Sequence, residues 1–169
     1  HALGDRVKHV DATSWSCAGA YRCLWTLATA AATVFFIATD GTRATLETWI
    51  SNVRGVLVTD RGTQFGFWAM ERRQICWAHL LRKFAAYATR SGDAGKIGDH
   101  LLVWTRVLFH SWHRVRDGTL TRREFRAQAG RLREVIERLL EQGTATPGIA
   151  GSCADILAHR AAMWRFVDD

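Results

Sequence analysis

The run Val56-Leu57-Val58-Thr59, closed by Asp60, Arg61 and Gly62, constrains the fold more than any other stretch. These β-forming residues, apolar without alternation, are too few for an amphipathic helix and suit a strand buried on both faces. The acid and glycine that follow mark a turn. In open α/β sheets the ligand crevice lies outside the carboxyl ends of such strands, so Asp60 is expected there. A second run, Val7-Lys8-His9-Val10, leads into Asp11 through alternating apolar residues. Two strands that each bring one aspartate to the same sheet edge would suit a divalent cation, which prefers hard oxygen ligands.

Around these two runs the chain reads as sheet first and helix afterwards. Ser14 to Ala20 is polar and glycine-bearing, and Tyr21–Leu27 and Thr33–Ala38 are β-rich. Leu46, Trp49 and Ile50 fall at helical spacing within Ala44–Ile50. The order is β-β-β-α-β, with the fourth strand free to lie parallel beside the first. A short helix is expected over Gln64–Met70 and a fifth strand over Arg73–Trp77. From His79 the period becomes helical, with Leu80, Leu81, Phe84 and Tyr87 forming a stripe. Ile97, Leu101, Trp104, Leu108 and Trp112 mark a long helix. Thr121 with Glu124 reads as a capping box for another, ending near Gly143, and Ser152 is expected to cap a last one reaching Phe166. Residues 1–91 are therefore assigned to an α/β core and residues 92–169 to an all-α insertion.

Charge points to the partner. The net charge is +7 with a pI near 9.9, which favours a polyanion, and nucleic acid leads. Nine arginines lie between Arg106 and Arg138 against four acids, a candidate DNA-facing surface, although charged helices are usually just solvated. Arg82 and Lys83, close in sequence to the acid-bearing strands, are the better candidates for phosphate contact. Trp104, Trp112 and Trp164 are assigned to the core joining the helices. No run reaches the ~18 apolar residues of a membrane span. The four cysteines are too sparse for a disulfide framework. Cys76 and His79 form a Cys-x-x-His pair that, with Cys17 and Cys23, would complete a zinc ligand set, but packing is the preferred reading. Because the chain begins at His1 within the lead-in to a strand, it is expected to be a piece of a longer protein.

His9-Val10-Asp11-Ala12-Thr13-Ser14-Trp15, then Val58-Thr59-Asp60, then Cys76-Trp77-Ala78-His79-Leu80-Leu81-Arg82-Lys83-Phe84 resemble, in order and spacing, the catalytic domain of transposases of the insertion sequence 66 family. The resemblance implies a ribonuclease-H-like mixed five-stranded sheet with helices, interrupted by an all-α insertion. It also implies a DDE-type nuclease and strand transferase acting on double-stranded DNA at transposon ends, with Asp11 and Asp60 as catalytic and metal-binding residues. Two Mg²⁺ ions, replaceable by Mn²⁺, a homo-oligomer on DNA, and a cytoplasmic, nucleoid-associated location follow from the same likeness. Two departures stand out. The first motif reads Asp11-Ala12-Thr13 where relatives commonly have Asp-Glu-Thr. The third acid, which in relatives follows an Asn-Asn pair, has no counterpart in these residues, so the 169-residue piece is expected to be inactive alone. The competing readings are a basic DNA-binding module without chemistry and another ribonuclease-H-like nuclease, for which Glu47 is the acid available.

Overall fold

The computed structural model describes residues 6–168, and the chain divides into two compact units with the boundary in sequence between Cys76 and Trp77. The first unit is a five-stranded sheet in the order β3-β2-β1-β4-β5. The strands are β1 (Val7–Cys17), β2 (Ala20–Ala28), β3 (Thr33–Ala38), β4 (Val56–Thr59) and β5 (Arg73–Ile75). β2 runs antiparallel to its two neighbours, whereas β4 lies parallel to both β1 and β5. This is the mixed sheet of a ribonuclease-H-like fold.

One helix, α1 (Arg43–Ile50), precedes β4. Thr42 caps it, and Asp40 Oδ1 accepts from the Thr42 amide at 2.9 Å and from the hydroxyls of Thr42 and Thr45 at 2.7 Å. These bonds, chiefly that from the Thr42 hydroxyl, hold the Asp40 carboxyl at about 2. Leu46 and Ile50 of α1 join Val10, Trp25, Leu27, Leu57 and Phe65 in a core cluster. The β1 residues in that cluster and beside it, Val10 and Ala12, alternate with His9, Asp11 and Thr13, which therefore occupy the opposite sheet face.

Several local expectations are corrected. The polar, glycine-bearing stretch from Ser14 to Ala20 is largely strand: β1 continues to Cys17, and Ala18 and Gly19, with φ of 50° and 76°, form a two-residue hairpin turn. Positive φ at both positions matches the twist of the flanking strands, which is why so short a link suffices. Between Gln64 and Met70 there is no full helix but short 3-10 turns at Thr63–Phe65 and Met70–Arg72. The fifth strand stops at Ile75, because Trp77 already begins a helix and packs its ring against Phe109, Trp164 and Phe166.

The second unit is helical throughout its described residues: α2 (Trp77–Ala88), α3 (Gly92–Arg116), α4 (Arg122–Thr144), α5 (Ala150–Ala158), α6 (Arg160–Met163) and α7 (Arg165–Asp168). α2, which the sequence reading grouped with residues 1–91, clusters with this unit. The capping box forms as expected: Thr121 Oγ1 accepts from the Glu124 amide at 3.2 Å while Glu124 accepts from the Thr121 amide at 2.9 Å. Ser152 is not a cap. It lies inside α5, where its hydroxyl accepts from Tyr87 Oη at 2.5 Å, and the expected single last helix is broken into three. Trp164 is interior as expected, 1% exposed, and Trp112 is half-buried against Phe125 and Phe166, but Trp104 reaches the surface. Its α3 neighbours Val103 and Val107 are exposed with it, so that side of the helix has no partner among the described residues.

Candidate active site

Asp11 lies within β1 and Asp60 directly follows β4. These strands are parallel neighbours with Val7 opposite Val56, Lys8 opposite Leu57 and His9 opposite Val58. The pairing ends at His9 and Val58; Asp11 lies two residues further along β1 and Asp60 two residues further along the chain, just past the end of β4. Both reach solvent, Asp11 being exposed and Asp60 half-buried.

The sequence places Asp60 through its turn. Its Oδ1 accepts from the Gly62 amide at 2.8 Å, an Asx turn that bends the chain away from the strand end. Behind it, a buried arginine on β5 holds the backbone. Arg73, 2% exposed, donates from Nε to Thr59 Oγ1 at 2.9 Å and from Nη2 to the Asp60 carbonyl at 2.7 Å. The Thr59 hydroxyl donates to the same carbonyl at 2.8 Å. Asp11 Oδ1 accepts from the Ala12 amide at 3.0 Å. His9 precedes Asp11 on the same face, and desolvation by burial lowers its imidazole below the ordinary value.

A family model described as Transposase IS66 family covers residues 1–169. The chain belongs to that family. No curated protein and no solved structure matches it. Among the described residues no helix is long and apolar enough to cross a membrane.

The remaining candidates of this IS66 chain are distributed differently. Arg82 and Lys83 are exposed on α2, off the buried side formed by Leu80, Phe84 and Tyr87, and belong to the helical unit rather than to the sheet that carries the aspartates. Glu47, on α1, pairs with Arg43 at 3.5 Å. Cys23 is a core residue beneath Gly41, and burial, with the charge of Asp40, pushes its thiol up. Cys76 is half-buried directly after β5, and its amide donates to the Thr59 carbonyl at 2.7 Å. Among the described residues no group of three or more His, Cys, Asp or Glu is placed to hold a metal ion.

Three of the arginines counted toward a DNA-facing surface hold the helical unit together. Arg122 lies over Trp112 and donates to the Phe166 carbonyl, Arg126 donates to the Val167 and Asp168 carbonyls, and Arg133 bonds Glu137 at 2.9 Å. Sequence reasoning missed the role of Arg73. The one available signal was a charged residue beginning a run otherwise suited to a buried strand.

Proposed function

We propose that this chain carries two of the acidic ligands of a DDE-type transposase, Asp11 and Asp60, and that the parent protein cuts and joins DNA at transposon ends. The observation that supports this reading is the parallel pairing of β1 with β4, the strands that lead to Asp11 and Asp60. Two carboxylates so placed fit a hard divalent cation such as Mg²⁺, with Mn²⁺ as a substitute, as far as two residues can. Bound cations would supply charge neutralisation at the attacking and leaving oxygens of phosphoryl transfer. The protein's part is positioning: the Asx turn and the Arg73–Thr59 brace hold the Asp60 backbone, and Asp11 is held by its place within β1. The third carboxylate is assigned to a segment outside these 169 residues, on the pattern of the family. Arg82 and Lys83 are proposed as phosphate contacts and double-stranded DNA as the partner, with a homo-oligomer assembled on it.

A nicking assay with Mg²⁺, run beside a binding titration, tests this. The 169-residue chain is expected to bind duplex DNA with an affinity that falls as salt rises and to leave transposon ends uncut. A version extended through the third acid and its end-recognition regions is expected to cut them. Asp11→Asn or Asp60→Asn in that version should abolish cutting while leaving DNA affinity unchanged, since each removes a metal ligand and no phosphate contact. Metal-dependent cutting by the short chain, or full activity in either variant, would overturn the assignment.

A further inference from the structure

The loop from α1 to β4 and the residue before β5 line a surface cavity of about 570 Å³, formed by Ser51, Asn52, Val53, Arg54, Gly55 and Arg72. Arg54 and Arg72 are both exposed, and neither side chain forms an ion pair among the described residues. Arg72 is held in place: its guanidinium lies 4.8 Å from the Trp68 ring centroid, and Trp68 Nε1 donates to its carbonyl at 2.9 Å. The loop is anchored from below, since Lys8, fully buried, donates from Nζ to the Arg54 carbonyl at 2.6 Å. The nearby carboxyl end of α1 would by itself repel an anion. That effect is reduced here, because the Thr48 carbonyl accepts from Ser51 Oγ and the Ile50 carbonyl from the Val53 amide.

We infer that this cavity is a phosphate-binding site that grips the backbone of duplex DNA at the sheet edge opposite the aspartates. Guanidinium groups match phosphate oxygens through planar, paired N–H donors, and the exposed Asn52 amide adds a neutral donor to the rim. β4 and β5 are parallel, so Arg54 and Arg72, each just before a strand, share one edge while Asp60 leaves β4 at the other. Arg54 lies six positions before Asp60, at most roughly 20 Å at the rise of a strand. That is about six nucleotides of one DNA strand at 3.4 Å each. A duplex engaged at the acids would thus be tethered about half a turn away, by a contact that carries no sequence information. The inference rests on the proposed DNA-processing function and adds to it the place where the backbone is held.

The test compares Arg54→Gln/Arg72→Gln with Arg123→Gln/Arg131→Gln, each removing two exposed charges from the 169-residue chain. Circular dichroism and thermal melting check that both remain folded, as expected for exposed positions. Duplex DNA affinity is measured from low to high salt. Loss of two phosphate contacts should reduce the slope of log K against log salt by about 1.8, whereas the comparison pair should change it by well under 1. Inorganic phosphate is titrated at constant ionic strength as a separate arm. An unchanged slope in the Arg54 and Arg72 variant, or equal losses in both variants, overturns the inference even though the chain still binds DNA. Saturable phosphate binding that disappears with Arg54 and Arg72 while the DNA slope stays put assigns the cavity to a free anion and overturns it as well. A wild-type chain that binds no duplex at any salt defeats this inference and the DNA-binding part of the function together, whereas cutting lost through Asp11 or Asp60 bears only on the function.

Discussion

The two units use their cations in opposite ways. In the sheet unit the most enclosed charges, Lys8 and Arg73, have almost no exposure and hydrogen-bond to backbone carbonyls at chosen points, Arg54 and Asp60. In the helical unit the arginines lie along the margin of an aromatic interior. Arg122 covers Trp112 and Phe125, and Arg133 covers Trp164. The interior itself is a network of rings in which Phe166 alone meets Trp77, Phe109, Trp112 and Phe125. A buried cation hydrogen-bonded to the backbone fixes a position, whereas a ring cluster spreads its energy over many contacts and tolerates shifts in any one of them. The sheet unit is therefore built for placement and the helical unit for bulk stability.

That contrast can be broken by mutation, beginning with the largest expected effect. Trp164→Ala removes a side chain that meets Trp77, lies under Arg133 and donates from Nε1 to Glu137 at 2.8 Å. It should destabilise the helical unit by about 4 kcal/mol in urea unfolding, the usual scale for truncating a buried tryptophan. Thr59→Val keeps the shape of a residue that is 1% exposed but takes away the acceptor for Arg73 Nε. The cost expected is about 2 kcal/mol, that of leaving a buried donor unpaired. In the extended, active version the same change should also lower cutting, because the Asp60 carbonyl loses the Thr59 hydroxyl as a donor. If Thr59→Val leaves both stability and cutting unaltered, placement is not what the buried cation provides.

The smallest effect concerns pH. The Asp40 carboxyl lies at about 2 in the folded chain, below its ordinary value of 3.8, chiefly through the Thr42 hydroxyl and then the Thr42 amide and Thr45 hydroxyl. A depressed folded value means that its contribution to stability is fully present above about pH 4 and is lost as the pH falls toward 2. Asp40→Asn should therefore flatten the acid limb of the stability curve between those limits and leave stability at pH 7 less dependent on protonation. An unchanged acid limb in the variant would remove Asp40 from the forces that cap α1.

Much of this architecture was legible locally. The apolar run ending at Asp60, the capping box at Thr121 and Glu124, and the helical stripes of α2 to α4 are short-range signals, because turn chemistry and periodicity act over a few residues. The pairing of strands one and four was inferable from their order. What remained hidden depends on residues distant in sequence. Nothing local tells that Lys8 will be enclosed and bonded 46 positions away at Arg54, or that Arg73 will reach back to Thr59 and Asp60. The meeting of Arg54 and Arg72 at one cavity is equally a product of parallel strand pairing. Gly98 reads as an ordinary weak point in a helix, yet a Cβ there would lie 2.3 Å from the Ala88 backbone nitrogen, so the close approach of α2 and α3 requires it. The break of the last helix into α5, α6 and α7, and the exposure of Trp104, belong with these. Hydrophobic pattern selects an element and the side it buries, but which partner covers that side, and which cation is trapped under it, is decided only when the elements pack.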